Sequence, residues 1–290
     1  KSGWVSNKGK YVNLFKKKIN QFTNSNYVVP TVNGTSALHV SLKLSNVKEN
    51  DEVIVPTITY IATINPILYL KASPIFLDVS SDLNISVSAV KKFINEETFF
   101  KNGCTYNKLS KKKISAIIVT HVFGNAVDIK PILKICKKRK IKIIEDAAES
   151  LGTFYNKNYL KNKHTGTLGD FGCLSFNGNK IITTGGGGAV LMKDKKNYEY
   201  CNYLCDQAKD NKIYSIHNET GFNYKLSNIQ SALGCSQFLK LKSYLKKKRK
   251  IYKNYCKLFE KNNNYSLLKP RSFYSSNHWL NVLILKNKKK

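Results

Sequence analysis

One lysine stands in a setting that could do chemistry. Lys180 lies between Asn179 and Ile181 in the stretch FGCLSFNGNKIITTGGGGAV, residues 171–190, and four consecutive glycines, Gly185 to Gly188, follow it. A lysine amine attacks carbonyl carbon once desolvation or a nearby charge has lowered its pKa. Glycines beside it let the backbone bend and come close to a bound group. The stretch therefore suits an amine that carries a carbonyl cofactor as a Schiff base. Yet the chain holds 49 lysines and arginines, and a solvated lysine is the default reading of any one of them. The assignment has to rest on partners elsewhere in the chain.

Those partners exist. A carboxylate, Asp146, ends the apolar run IKIIEDAAE, and a small-residue turn, NGTS, places Thr35 and Ser36 at a helix start. Such a start offers free N–H groups and the positive end of a helix dipole, which suit a phosphate. Pyridoxal phosphate requires a Schiff-base lysine, a carboxylate on its pyridine nitrogen, a phosphate cradle and a ring-stacking group. Lys180 can supply the first and Asp146 the second, while Thr35, Ser36 and Ser175 can supply the third.

The elements that must hold these residues alternate along the chain. Apolar spacing predicts helices over 11–22, from Thr35 or Ser36 onward, from Thr57 or Thr59 through residue 70, and over 86–94, 129–138 and 198–207. A long helix follows from Ile229 to Phe259. Strands are expected at 27–30, 52–56, 74–79, 114–124, 141–146, 173–176 and 189–192, with residues 95–112 irregular and 151–170 a loop. This alternation predicts an α/β fold with a mostly parallel sheet between helices. Function in such sheets gathers beyond the C-terminal strand ends, where Asp146, Thr35 and Ser36 fall. The expected division is a cofactor-binding large domain over 1–238, then a linking helix and the beginning of a smaller α+β C-terminal domain over 239–290. That second domain reads as incomplete: a lone strand at 277–285 has no visible partner.

Composition narrows the function classes. No apolar run approaches the roughly 18 residues of a membrane span, and the opening KSGWVSNKGKYV lacks the apolar core of a signal peptide. Seven scattered cysteines with no CxxC pair read as reduced thiols rather than a disulfide framework or a metal site. The cytoplasm is the expected compartment. A net charge of +31 raises the possibility of polyanion binding. Only Arg139, Arg249 and Arg271 are arginines, however, and arginine is the usual reader of bases and paired phosphates. The lysines read chiefly as solvated faces.

Six segments resemble the DegT/DnrJ/EryC1/StrS family of sugar aminotransferases, which are fold type I pyridoxal phosphate enzymes. They are SGWVS (2–6), NGTSAL (33–38), DEVIVPTITYIATINPI (51–67), EDAAESLG (145–152), GDFGCLSFNGNKIITTGGGGAV (169–190) and GFNYKLSNIQSALG (221–234), in family order. The resemblance implies that Lys180 is the Schiff-base lysine and proton shuttle, and that Asp146 pairs with the pyridinium nitrogen. It implies that Tyr60 covers the cofactor ring and that Thr35, Ser36 and Ser175 hold the phosphate. Asn223 matches a residue that reaches the phosphate of the neighbouring subunit, which implies a homodimer with a shared site. Glu149 stands where many members have a glutamine that donates to the cofactor's phenolic oxygen. A carboxylate there would repel a phenolate unless one proton is shared, so Glu149 is expected to be protonated or to share that proton. His121, in THVFGN, reads equally as a site-lining and as a structural histidine.

Relatives that deoxygenate sugars carry histidine at the lysine position, and Lys180 argues against that branch. The wording FNGNKIITTGGGG is similar to enzymes that aminate C4 of a nucleotide-linked 4-keto-6-deoxy sugar. Glutamate would be the amino donor, and surface polysaccharides or glycans the destination. Amination at C3, or a non-catalytic basic α/β protein whose glycine loop holds a phosphate or nucleic acid, are the rival readings.

Overall fold

A computed structural model describes residues 3–157, 160–211 and 213–285. The chain opens with α1 (Lys10–Thr23), β1 (Tyr27–Thr31), α2 (Gly34–Leu44) and β2 (Glu52–Pro56). Next come α3 (Asn65–Tyr69), β3 (Ser73–Leu77), α4 (Val87–Glu96), the hairpin β4 (Thr98–Lys101) and β5 (Cys104–Asn107), and β6 (Ile114–Thr120). Then follow α5 (Ile129–Arg139), β7 (Lys142–Asp146), β8 (Phe154–Tyr155), β9 (Phe171–Ser175), β10 (Gly188–Met192) and α6 (Lys195–Cys205). The last elements are α7 (Asn228–Phe259), β11 (Tyr265–Leu267), β12 (Tyr274–Ser275) and β13 (Leu283–Leu285).

Seven strands form one sheet in the order β1-β10-β9-β7-β6-β2-β3. Neighbours from β9 to β3 pair in parallel, and β10 runs against both β9 and β1. Six strands thus point one way and only β10 is reversed. The expected α/β class with a mostly parallel sheet is borne out. The C-terminal ends of β1, β2, β6, β7 and β9 share one edge, where Asp146 closes β7 and Ser175 closes β9.

All seven residues of central strand β6 are buried, as a strand covered on both faces requires. Ala116 and Ile118 pack with α2, α3 and α6, whereas Ile117 and Val119 pack with α4 and α5. Burying each of these isoleucines contributes about 2 kcal/mol. A third cluster joins Phe15 and Ile19 of α1, Leu174 of β9, Leu191 of β10 and Leu241 of α7.

Several expectations need correction. The helix expected from Thr57 or Thr59 is broken: a single 3-10 turn spans Ile61–Thr63, and α3 begins at Asn65 with Pro66 in its first turn. A continuous helix would have lost the hydrogen bond that Pro66 has no N–H to make. Residues 95–112 are not irregular throughout, because 98–107 form the hairpin of β4 and β5, which turns through Asn102 and Gly103, both at positive φ. Asn-Gly is the sequence signature of that turn. Helix α2 is capped by Asn33, whose side chain accepts from the Ser36 N–H at 2.7 Å, rather than by Thr35 or Ser36. At the far end only 283–285 form a strand, and it has a partner in β11. The residues before it, 277–279, turn back onto the strand ends.

Candidate active site

Asp146 is the last residue of β7 and is 5% exposed. Its Oδ2 accepts from Thr63 Oγ1 at 2.7 Å and its Oδ1 from the Ala148 N–H at 3.1 Å. The Thr63 hydroxyl meets that of Thr59 at 2.7 Å, and Thr59 reaches Thr120 at 3.3 Å. The broken helix after β2 explains this row: the 3-10 turn brings Thr63 back over the sheet edge. A buried carboxylate with fixed donors is held in one orientation and stays available to one more partner.

Glu149 follows in the turn after β7. Its Oε2 accepts from the Phe123 N–H at 2.6 Å, and Phe123 occupies the left-handed region, φ 57. Burial pushes the Glu149 carboxyl up to about 7, offsetting the Phe123 bond and the pull of Lys180, while Asp146 pushes the same way as burial. That elevation supports the expectation of a carboxyl that keeps or shares a proton.

Lys180 is half-buried on the loop between β9 and β10. Burial lowers the pKa of its amine against the opposing pull of Glu149 and Asp146. Its Nζ lies 4.0 Å from the ring centroid of Trp279. Lys180, Asp146 and Glu149 thus feel one another's charge in one partly desolvated space, the condition under which a lysine becomes a nucleophile.

On the neighbouring side, the start of α2 lies against the end of β9. A Cβ at Gly34 would sit 3.0 Å from the Ser175 Cβ and 3.4 Å from its Oγ, so the missing side chain leaves a concavity beside a hydroxyl and first-turn N–H groups. Ser36 is buried within that turn. Gly188 is required here too, since a Cβ on it would come within 2.5 Å of the Asn33 carbonyl oxygen. Of the four glycines expected to give room beside Lys180, this one makes room for the α2 start instead. An anion cradle, a buried carboxylate and a lysine of lowered pKa fit the phosphate, ring nitrogen and aldehyde of pyridoxal phosphate.

The structure does not bring every expected residue into this group. Tyr60 is 72% exposed at the tip of the loop after β2. Asn223 is exposed, and its backbone bridges to Asp206. His121 is structural: fully buried, it meets Glu145 Oε2 through Nε2 at 2.9 Å and accepts the Val127 N–H at Nδ1. Glu145 in turn takes N–H groups of Gly166, Leu168 and Gly169. Burial alone would raise its pKa, but the bonds from His121 and those glycines hold it below the usual range.

Sequence reasoning missed Thr63, Asn277 and Trp279. Asn277 donates to the carbonyls of Glu149 and Leu151, both at 2.9 Å, and Trp279 covers Lys180. A buried-looking tryptophan inside a polar NHW run was the available signal, but it read as part of a strand.

The sequence pattern described as the DegT/DnrJ/EryC1/StrS aminotransferase family matches residues 1–290. The chain is 36% identical over 288 residues to the protein of Bacillus subtilis named "Putative pyridoxal phosphate-dependent aminotransferase EpsN", covering 99% of this chain and 70% of that one. It is 36% identical over 251 residues to GDP-perosamine synthase of Escherichia coli O157:H7, covering 86% of this chain and 63% of that one. Among solved structures, Helicobacter pylori PseC, an aminotransferase involved in the biosynthesis of pseudoaminic acid, superposes with a TM-score of 0.86 at 26% identity, over 99% of this chain and 72% of PseC. Pyridoxal 5'-phosphate, the expected cofactor, is the one to which the site's geometry and these relatives both point. With residues 1–290 matched by that pattern, the chain belongs to the DegT/DnrJ/EryC1/StrS aminotransferase family.

Proposed function

We propose that this protein uses pyridoxal phosphate to transfer the amino group of glutamate to a nucleotide-linked 4-keto-6-deoxy sugar, for surface polysaccharide or glycan synthesis. The observation that carries the reading is the half-buried Lys180 amine, set 4.0 Å from the Trp279 ring and within the electrostatic reach of Glu149 and Asp146. The names of the perosamine synthase and of PseC support a sugar acceptor. When bound, the cofactor supplies an electron sink for the carbon that loses or gains a proton.

The chain's own residues have distinct tasks in this reading. Lys180 would hold the cofactor through its aldehyde carbon and would move the proton at the substrate carbon. Asp146, oriented by Thr63 and Ala148, holds the proton on the pyridine nitrogen. Glu149 shares a proton with the phenolic oxygen. Thr35, Ser36 and Ser175, with the first-turn N–H groups of α2, hold the phosphate.

Tyr60 covers the cofactor ring, and Asn223 reaches the phosphate of the neighbouring subunit in a homodimer. Exposed Tyr60, Ile61, Leu68 and Tyr69 support a second copy there, since solvent-facing apolar patches mark association surfaces. Seven free cysteines support a reducing compartment, the cytoplasm; among the described residues no helix is long and apolar enough to cross a membrane.

The test is the protein reconstituted with cofactor and assayed with glutamate against nucleotide 4-keto and 3-keto sugars. Yellow protein bleached by glutamate and recoloured by a 4-keto sugar is the expected result. Recolouring only by a 3-keto sugar would move the reaction to C3, and protein that never takes up colour would refute the enzyme.

A further inference from the structure

We propose that Trp279 is a positioning residue for Lys180, whose indole face holds the amine as an ammonium whenever that amine is not bonded to the cofactor. The 4.0 Å separation between Nζ and the ring centroid is well inside the roughly 6 Å reach of a cation–π contact, for which tryptophan is the best partner. The amine has given up water, with the Glu149 and Asp146 carboxylates drawing it from the β7 side. A free ammonium in that space needs a face to rest on, and the Trp279 ring lies over it.

Polar contacts fix the ring there. The indole Nε1 donates to the carbonyl of Asn179, the residue preceding Lys180, at 2.8 Å. The Trp279 N–H donates to Asn277 Oδ1, and its carbonyl accepts from Lys248 Nζ of α7, each at 2.9 Å. His278 between them adopts φ 53, which turns Asn277 toward Glu149 and Trp279 toward Lys180. One three-residue strap thereby sets both groups that the aminotransferase reading places at the cofactor's reactive edge. In that reading, on which the role during turnover rests, Lys180 is released for half of every cycle. An amine held on the indole returns to the same place each time.

The test separates a cation holder from an apolar cover. In the cofactor-free protein, competitive acetylation across pH, read by mass spectrometry on the peptide containing Lys180, gives the midpoint at which the amine loses its proton. If the indole holds the ammonium, Trp279→Leu lowers that midpoint and Trp279→Phe falls between. If the ring only excludes water, removing it hydrates the amine and the midpoint rises; a rise or no change overturns the proposal. A second measurement leaves the ring in place. In a Trp4→Phe background, Trp279 is the remaining tryptophan, and its emission should titrate at the same midpoint as the labelling. Lys180→Met should abolish that titration, and its persistence overturns the proposal. Neither measurement needs cofactor or substrate, so failure of the aminotransferase reading would show separately, as absence of cofactor binding.

Discussion

Glu149→Gln isolates the energetic cost of a carboxyl forced into the site. Free glutamate has a reference value of 4.5, and in the folded protein the group is pushed up to about 7. Between those values the folded chain binds a proton that the unfolded chain has released, so stability falls as pH rises through this window. Above it the ionised carboxylate carries its full desolvation cost. At about 1.4 kcal/mol per pH unit the rise is worth roughly 3 kcal/mol, and screening at a half-buried position reduces that to about 2 kcal/mol. Glutamine keeps an oxygen for the Phe123 N–H and never ionises. The cofactor-free variant should therefore gain little at pH 5 and about 2 kcal/mol at pH 8 relative to the parent, a Tm difference of roughly 3 °C. Differential scanning fluorimetry of both proteins from pH 5 to 8 reads it, and the difference between them cancels other titrating groups. A difference independent of pH would refute the elevated carboxyl. With cofactor bound, the variant should also lose the pH dependence of the cofactor's absorbance that a shared proton produces. An unchanged profile would remove Glu149 from the phenolic oxygen.

Three further substitutions probe the rest of the site. Lys180→Ala should leave the circular dichroism spectrum intact while abolishing the covalent attachment of the cofactor that borohydride reduction makes permanent; attachment that persisted would mean another amine carries it. Thr63→Val deletes the 2.7 Å bond to the Asp146 carboxylate and should cost about 2 kcal/mol in urea unfolding, with Thr63→Ser restoring most of it. Gly188→Ala puts a methyl group within 2.5 Å of the Asn33 carbonyl. It should push the α2 start off β10, weakening cofactor affinity by about tenfold or more, as read by equilibrium dialysis.

The central sheet was legible because its strands are short, apolar and bounded by turn residues: β2 falls on residues 52–56 as expected, and β7 ends on Asp146. Helix α7 was legible in extent, expected from residue 229 and found from 228 to 259, although Ile229 and Leu233, which marked it, lie exposed. What failed depended on distance. Nothing local in TITYIAT says that Thr63 will meet a carboxylate 83 residues later, although Pro66 did warn that the helix could not be continuous. The hairpin at 98–107 was announced by Asn102-Gly103 and overlooked amid polar neighbours. NHWL alternates enough to pass for a strand, and only the Asn277 contacts to Glu149 and Leu151 reveal it as a strap. The lysine, the carboxylates and the α2 start were readable by type and spacing. Their mutual orientation required the fold.

The strap also imposes an order in time. Trp279 lies 100 residues beyond the carbonyl that anchors it, and ribosomes add roughly 5–20 residues per second. The nascent chain therefore displays Lys180 for something like 5 to 20 seconds before its cover has been synthesised. During that interval the amine is open to any aldehyde in its surroundings. The α2 start and Asp146 have both been made by then, so the residues proposed to select the aldehyde precede the strap in synthesis.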